Sequence, residues 1–361
     1  MRILLVSNMY PSPAFPNYGV FIKNTERILR DSGFDVDTIA MRKDSNRYRK
    51  FFRYSGYYIS ILFKGLFNGY DAVYVHYASH NSIPVLILKS LKKNIRVYTN
   101  VHGSDIMPKT ALASGLQRYV KLLFYESYRI IVPSAFFRRV VSEKYGVDSA
   151  KVYVFPSGGI NGDVFRRIVD RDDVYGRLGL DRNIKYIGYV GHINHQKGWD
   201  VYIDAIRSLL SSQLITDKRF IIVGSGEQDD MLQRAIDGYG LGRYIIRYGM
   251  LPQDALCDIY NCLEVLCFPT RGESLGLVGL EAMSCGIPVI GSRVGALSDY
   301  IDDGENGLLF DAGDGGMLKD KLVEYFALSE DRREQMRRCA LSTAERYMVE
   351  NIKRDLVDIF S

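Results

Sequence analysis

The segment ESLGLVGLEAMSCGIPVIGS, residues 273–292, combines a helix and a strand in a stretch that is almost wholly apolar or small. Residues 275–285 are apolar nearly all round, which predicts a buried helix, and Gly286 with Pro288 ends it. The following PVIGS (288–292) predicts a buried strand. A buried helix followed at once by a buried strand is typical of α/β proteins.

Two glutamates, Glu273 and Glu281, interrupt this apolar segment eight positions apart. The N-terminus of a helix attracts anions, and small residues there let a ligand approach the backbone closely. Glu281 is predicted roughly 9 Å beyond the helix start, about the distance from the phosphates of a nucleotide to its ribose. The spacing suits a sugar nucleotide. It equally suits an alternative in which Glu281 pairs with a buried Arg or Tyr and Glu273 is a favourable first-turn acid.

Short apolar runs alternate with helix-length segments along the whole chain, which predicts an α/β protein with doubly wound parallel sheets. Two series of strands are predicted, each opening on a strand and a glycine-bearing turn. The first series is 2–7, 35–41, 72–77, 96–103, 129–134 and 151–157, and the second is 186–191, 220–226, 245–250, 265–270 and 288–292.

The 361 residues are enough for two domains with cores of their own. We expect the first domain over residues 1–163 and the second over 164–343, with the polar segment 162–183 as the junction. The C-terminal segment 344–361 is helical by period, and the sequence leaves open whether it packs back on the first domain. Two similar halves of this kind are expected to face each other across a cleft.

Composition indicates an ordinary globular chain, with 47% hydrophobic residues, 25% charged residues and a net charge of +5. The five cysteines match no zinc or CxxC spacing and are expected to be reduced core residues. The apolar run at residues 3–6 is too short for a signal peptide, and no apolar segment is long enough to span a membrane. We expect a cytoplasmic protein.

The segment 273–292 resembles the E-x7-E signature of glycosyltransferase family 4, retaining enzymes of the GT-B fold with two Rossmann-like domains. Further segments support the resemblance in order along the chain: NMYPSPAFPNYGVFI (8–22), NVHGSD (100–105), VFPSGGINGDVF (154–165), YVGHINHQKGWD (189–200), IIVGSGEQ (221–228) and VGALSDYIDDGENGLLF (294–310). Each segment alone is weak, but their order and spacing are highly specific. The resemblance implies transfer of a sugar from a nucleotide-sugar donor without a required metal or other cofactor.

The resemblance also implies roles for individual residues. Glu273 matches the glutamate that faces the donor sugar and Glu281 the one that binds the ribose, while Lys197 matches the lysine that neutralises the diphosphate. The remaining matches are the backbone amides around sugar and diphosphate (Ser274, Leu275, Gly276, Leu277), the glycine that approaches the phosphates from the other domain (Gly19), the histidine near the transferred sugar (His102), and Asp105 on the acceptor side.

One position departs from the family pattern. His192 stands where the family usually has an arginine. Histidine is charged only when it is protonated, so the leaving diphosphate lacks the permanent positive charge that an arginine would supply. His192 together with Lys197 is expected to stabilise the diphosphate, and Arg271 is a second candidate for the missing charge.

The expected function is a retaining glycosyltransferase that builds a surface polysaccharide or glycolipid from a UDP-sugar, with a GDP-sugar as the next alternative. Retention is expected by attack of the acceptor from the face of the leaving group, with the β-phosphate taking the acceptor's proton. Two alternatives stay open: a synthase that glycosylates a small soluble acceptor, and a catalytically silent subunit that binds sugar nucleotides.

Residues 42–64 hold seven Lys or Arg and one acid, interleaved with aromatic residues. This pattern suits a helix docked on an anionic membrane surface, where a lipid-linked acceptor would be met, and it suits equally an ordinary helix with one face in the core. Docking would make the protein peripheral on the inner face of the plasma membrane. No recognised motif supports nucleic-acid binding.

Overall fold

The structure is a computed structural model that describes residues 1–13, 15, 18–42, 47–108, 110–215 and 217–361; for residues 47–51 and 112 it describes the backbone alone. The chain divides into two compact units, one made of Met1–Gly159 with Ile352–Ser361 and the other of Ile160–Asn351. The segment 162–183, predicted as a junction, lies in the second unit and contains a helix.

The first unit contains a parallel six-stranded sheet with the strand order β2-β1-β3-β4-β5-β6. Its strands are β1 (Arg2–Ser7), β2 (Asp35–Ala40), β3 (Ala72–His76), β4 (Arg96–Asn100), β5 (Arg129–Val132) and β6 (Val152–Val154). Its helices are α1 (Val20–Asp31), α2 (Arg47–Phe67), α3 (Ala78–Leu91), α4 (Ala111–Gly115), α5 (Gln117–Glu126) and α6 (Ala135–Tyr145).

Alternation along these strands gives the sheet two apolar faces. The side chains of Leu4, Val6, Val73, Val75 and Val97 share one core with the inner sides of α2, α3 and α5. α2 packs beside α3, and α3 beside α5, so these three helices form one layer on that face.

The C-terminal helix α14 (Val349–Phe360) begins in the second unit and ends in the first. In the first unit, the ring of Phe360 stacks on Tyr98 with 4.3 Å between centroids and meets the edge of Tyr74 at 4.9 Å. The Arg129 guanidinium donates to the backbone carbonyls of Asp358 and Ile359, which satisfies orphan carbonyls at the helix end.

The second unit contains another parallel six-stranded sheet, with the order β12-β11-β10-β7-β8-β9. Its strands are β7 (Tyr186–Val190), β8 (Arg219–Val223), β9 (Ile245–Tyr248), β10 (Leu263–Phe268), β11 (Val289–Ser292) and β12 (Gly307–Phe310). Its other helices are α7 (Asp172–Leu178), α8 (Trp199–Ser211), α9 (Asp229–Gly238), α10 (Gln253–Cys262), α11 (Leu277–Ser284), α12 (Gly315–Ala327) and α13 (Glu330–Glu345).

Five strands of this sheet fall where the sequence predicted them, and the prediction of parallel α/β sheets is confirmed. Strand β12 was not predicted as a strand, because its four residues GLLF carry little periodicity and follow a turn. Among the described residues no helix combines the length and apolar character needed to cross a membrane.

Candidate functional site

The strand order of the second sheet reverses between β7 and β10. β8 and β9 extend from β7 on one side, and β11 and β12 extend from β10 on the other. Ligands of open α/β sheets bind outside the carboxyl ends of the strands at such a switch point. The loop after β7 carries Lys197, and the loop after β10 carries Glu273. Although the two residues are 76 positions apart, Lys197 Nζ donates to Glu273 Oε2 at 2.5 Å.

Two glycines allow these loops to come together. Gly198 has φ +73°, and a Cβ there would lie 1.9 Å from the carbonyl oxygen of Pro269. Gly295, after β11, has φ +52°, and a Cβ there would lie 2.3 Å from the carbonyl oxygen of Glu273. Any larger residue at either position would push the backbone that carries Glu273 out of place.

The N-terminus of α11 opens at this point. The helix begins at Leu277, with Gly276 as its N-cap at φ +90° and no capping bond from a described side chain. The Gly279 amide closes the first turn by donating to the Gly276 carbonyl at 3.0 Å. The first-turn amides of Leu277 and Val278 have no intrahelical acceptor and are available to an anion. The Tyr300 hydroxyl fixes the cap by donating to the Gly276 carbonyl at 3.1 Å, and the Ser274 amide donates to Glu273 Oε1 at 3.2 Å.

The helix therefore starts two residues later than the sequence predicted. Leu275 precedes it in the loop, because the left-handed conformation of Gly276 interrupts helical geometry there. Glu281 lies about 6 Å along the helix from Leu277, closer to the helix start than expected.

Glu281 is partly buried between α10 and α11, and the Tyr260 hydroxyl donates to its Oε2 at 3.1 Å. Loss of hydration raises the pKa of the Glu281 carboxyl to about 7. The sequence left open that Glu281 pairs with a buried Arg or Tyr instead of a ligand, and Tyr260 is such a partner. It accounts for one carboxyl oxygen, and among the described residues no cation lies within 4.0 Å of Glu281. The carboxyl thus keeps acceptor capacity for a ligand hydroxyl.

The raised pKa of Glu281 predicts how stability depends on pH. The pKa of this carboxyl is higher in the folded protein than the ordinary value of 4.5 that it has in the unfolded chain. Ionisation of the carboxyl therefore destabilises the folded state. The free energy of unfolding should therefore fall as pH rises from about 4.5 to about 7, by on the order of 2–3 kcal/mol from this group. Thermal unfolding across this range should show a flatter profile for Glu281→Gln, which keeps the acceptor for Tyr260. Parallel profiles for the two proteins would contradict the assignment.

The other two cations suggested for the diphosphate are already engaged. Arg271 binds Asp200 in a two-pronged ion pair, with N–O distances of 2.8 and 2.7 Å, and donates to the His195 carbonyl. His192 Nε2 lies 3.0 Å from Glu227 Oε2 on the surface. Of the three predicted cations, Lys197 is the one in contact with Glu273.

A pocket of about 180 Å³ lies beyond the carboxyl ends of β7, β8 and β9. It was not predicted, because it is built by the loops after β7, β8 and β9 together with Leu256 of α10, which are far apart in sequence. Its walls combine glycine backbone with apolar side chains, a surface suited to a flat ring. The lining residues are Val190, Gly191, His192, Val223, Gly224, Ser225, Met250, Leu251 and Leu256.

In the first unit the strand order reverses between β1 and β3, and the other predicted residues follow strands near this point. Gly19 is the N-cap of α1 at φ +78°, with no capping bond from a described side chain. A Cβ there would lie 3.1 Å from the backbone nitrogen of Tyr10, so the loop packs directly on the end of β1.

His102 follows β4 and contacts His76 at the end of β3. Their rings are stacked, and His76 Nδ1 lies 3.0 Å from His102 Nε2. Burial lowers the pKa of His102 to about 3 and that of His76 well below its usual range, so both rings are neutral at physiological pH. His76 was missed, although two histidines at the ends of neighbouring parallel strands are a readable signal.

Asp105 is buried, and its contacts are structural. Its Oδ1 accepts from the His102 amide and its Oδ2 from the Ala78 amide, each at 3.0 Å, which ties the end of β4 to the start of α3. Each oxygen accepts from a backbone amide, which indicates a positioning role for Asp105, and the acceptor-side role stays a prediction. Burial raises its pKa to about 6.

Replacing Asp105 by asparagine should lower the free energy of unfolding by about 1–3 kcal/mol, because one backbone N–H would then face an amide NH₂ group. Asp148→Asn is the matched control. Asp148 uses a single exposed oxygen to accept from the Ala150 amide, and asparagine caps equally well. Denaturant unfolding of the two variants measures the difference in stability. Equal stability of Asp105→Asn and Asp148→Asn would mean that only one of the two Asp105 oxygens is needed as an acceptor.

The predicted basic segment 42–64 falls partly outside the described residues, which omit Lys43–Asn46. The remainder lies mainly in α2, where Tyr57 and Ile61 are buried in the core of the first unit. Arg42 is exposed.

Comparison with solved structures shows the fold. A sucrose-phosphate synthase from Thermosynechococcus elongatus matches 100% of this chain and 98% of its own, with a TM-score of 0.82 and 18% identity. The Anabaena protein HepE, solved with UDP and glucose, matches 100% of this chain and 99% of its own, with a TM-score of 0.78 and 16% identity.

Curated relatives extend the similarity to sequence. A D-inositol 3-phosphate glycosyltransferase of Corynebacterium urealyticum is 32% identical over 188 residues, 51% of this chain and 44% of the relative. The chain thus spans about half the length of the curated relatives it matches first. An uncharacterized glycosyltransferase of Methanocaldococcus jannaschii is 26% identical over 348 residues, 92% of this chain and 91% of the relative.

Two family models match successive parts of the chain. The model described as Glycosyltransferase Family 4 matches residues 17–158, and the one described as Glycosyl transferases group 1 matches residues 170–341. The two matches cover most of the chain, one in each compact unit. With its two parallel six-stranded sheets, the chain belongs to glycosyltransferase family 4 and has the GT-B fold.

Proposed function

We propose that the protein is a retaining glycosyltransferase that moves a sugar from a UDP-sugar to a saccharide or lipid-linked saccharide acceptor. One observation carries the proposal: Lys197 pairs with Glu273 in the loop that leads directly into the N-terminus of α11, and Glu281 lies about one helical turn into that helix. A cation, a helix terminus and two carboxylates in this order match the charges and hydroxyls of a sugar nucleotide.

The leaving diphosphate would be held by Lys197 and by the first-turn amides of α11. Cleavage of the bond between the anomeric carbon and the β-phosphate oxygen builds negative charge on the diphosphate, and donors already in place stabilise that charge. The positive charge needed here is supplied by protein groups, which supports transfer without a metal or other cofactor. The diphosphate would compete with Glu273 for Lys197, so donor binding would free Glu273 to accept hydrogen bonds from the sugar.

Glu281 would accept from the ribose hydroxyls with the capacity that Tyr260 leaves unused. The pocket beyond β7, β8 and β9 would hold the nucleobase, since His192 and Gly191 link it directly to the loop that carries Lys197. The presence of UDP in the HepE structure supports a uridine donor for this chain.

For retention, the acceptor oxygen would form its bond to the anomeric carbon on the face that the diphosphate leaves. The acceptor's proton would pass to the departing β-phosphate oxygen. With the donor bound, Glu273 would be engaged by hydrogen bonds from the sugar, which supports this route over a covalent glycosyl-enzyme. The roles that the family resemblance gives to Gly19 and His102 stay predictions.

A second candidate is a synthase with a small soluble acceptor. It is favoured by the names of relatives that act on inositol 3-phosphate and 2-deoxystreptamine. A catalytically silent sugar-nucleotide-binding subunit, the third possibility, would bind a donor without consuming it. The free cysteines, four of them buried, support a reducing, cytoplasmic setting for any of these functions.

The test is to incubate the protein with a panel of UDP- and GDP-sugars and to measure release of the nucleoside diphosphate, with and without saccharide acceptors. One donor should be consumed, even if slowly by water alone, and proton NMR of the product should show the anomeric configuration of the donor. Binding without consumption would identify the silent subunit, and an inverted product would contradict retention.

A further inference from the structure

The outer face of the α2, α3 and α5 layer is apolar and exposed. On α2 the exposed residues Ile59, Phe63 and Phe67 recur every four positions, with Phe52 seven positions before Ile59. On α3, Ile83, Ile87 and Leu91 recur every four positions as well. Exposed fractions of Ile59, Phe63, Phe67 and Leu91 are 62–71%. We call these seven side chains the apolar stripes.

The two stripes lie side by side. The Tyr57 hydroxyl, in the middle of α2, donates to Asn81 near the start of α3 at 2.8 Å, and Gly65 packs against Leu88 near the ends of both helices. The helices are therefore parallel neighbours. Because both bury their inner sides in the same core, their outer sides face the same way.

These residues are not part of that core. The inner side of α2 is supplied by Tyr57 and Ile61, and that of α3 by Val85 and Leu88, all of them buried. Packing in the core therefore does not explain why the apolar stripes, on the outer sides of the same helices, consist of large apolar residues. Single exposed apolar residues are ordinary, but aligned stripes on adjacent helices indicate an interaction surface.

The positive charge around the apolar stripes indicates what kind of partner binds them. Between residues 45 and 104 the sequence has nine Lys or Arg and one acid, Asp71. Lys64, Lys89, Lys92 and Lys93 lie near the C-terminal ends of α2 and α3. The ammonium groups of Lys89 and Lys92 donate to backbone carbonyls. Among the described residues no acid lies within 4.0 Å of any of the four ammonium groups, so no carboxylate neutralises their charge. On α5, Lys121 accompanies the exposed Leu122 and Tyr125 and lies over the Tyr125 ring.

We propose that the apolar stripes dock on the surface of an anionic lipid bilayer, with aromatic side chains entering the headgroup region and lysines meeting lipid phosphates. A second copy of this chain is disfavoured as the partner, because it would bring the same positive charges face to face. The docking is inferred from the first unit alone and does not depend on donor chemistry, but under the proposed function it would select a lipid-linked acceptor.

The experiment measures co-sedimentation of the full chain with vesicles of equal parts phosphatidylglycerol and phosphatidylcholine, and with pure phosphatidylcholine. The wild type should bind the anionic vesicles, and added salt should weaken binding. A variant with Phe63→Ser, Phe67→Ser and Leu91→Ser should lose binding. Lys93→Glu with Lys121→Glu should weaken it by at least about 25-fold, since one surface cation contributes about fivefold. Met231→Ser with Tyr239→Ser is the control, because Met231 on α9 and Tyr239 directly after it are exposed in the second unit, and it should bind like the wild type.

Thermal unfolding checks that each variant is folded, which is expected because the replaced side chains are exposed. Equal binding by the wild type and the stripe variant, or no binding by the wild type, would overturn the proposal. Dimers in sedimentation that the stripe variant breaks would overturn it in favour of a second copy. Nucleoside diphosphate release from a soluble donor, measured in parallel, separates the two claims: release without vesicle binding refutes docking alone, and vesicle binding without release refutes the transferase alone.

Discussion

Replacing Lys197 by alanine is expected to lower the turnover number by about 10²–10³-fold, the loss typical when one preorganised donor to a developing negative charge is removed. Lys197 is the cation in contact with Glu273 at the tip of α11, whereas Arg271 is held by Asp200. Neither Arg271 nor the surface His192 is positioned to replace it. The lost stabilisation belongs to the leaving diphosphate, so the effect should appear mainly in kcat.

Steady-state kinetics with the donor identified by the panel measures this effect. Lys185→Ala is the matched control, because Lys185 is a partly exposed lysine of the same unit whose ammonium lies 4.0 Å from Glu264, in an ion pair separate from that of Lys197 and Glu273. The control should retain normal kcat. A change of less than tenfold in the folded Lys197→Ala variant would mean that Lys197 does not stabilise the leaving group.

Replacing Glu281 by alanine is expected to weaken the binding of the nucleoside diphosphate by about 10–100-fold, the contribution of hydrogen bonds to a charged group. The effect should appear with the nucleotide alone, since the proposed contact is to the ribose rather than to the sugar. Glu281→Gln should fall between the wild type and alanine, because its amide offers one acceptor where the carboxylate offers two.

Calorimetric titration with UDP measures the affinity of each protein. Glu324→Ala is the control, because Glu324 is a half-exposed residue of α12 paired with Lys321 and should leave the affinity unchanged. Unchanged affinity in Glu281→Ala would return Glu281 to the structural alternative, in which Tyr260 is its only partner.

The sequence predicted the architecture well because buried parallel strands are continuous apolar runs. Runs such as RILLVS and FIIVGSG leave little choice of structure. It failed at β12, where four residues are too few to show a period, and at the start of α11. There Leu275 continues the apolar pattern of the helix, but Gly276 adopts a left-handed conformation that no periodicity reveals.

The candidate site was harder to predict than the fold, because its contacts depend on the order of strands in the sheet. The pair of Lys197 and Glu273 forms because β7 and β10 are neighbours in the sheet, although two strands and three helices lie between them along the chain. The partner of Glu281 depends on how α10 packs against α11. Asp105 could not be placed from its spacing, since burial and two backbone amides decide what it does.

A structure determined with the preferred donor bound shows where the nucleotide-sugar lies in the second unit. We expect diphosphate oxygens within hydrogen-bonding distance of Lys197 Nζ and the free first-turn amides of α11, with ribose hydroxyls on Glu281. We also expect that Glu273 has left Lys197 and accepts from the sugar. A donor bound elsewhere, or a diphosphate that leaves the Lys197–Glu273 pair intact, would contradict the proposed donor site.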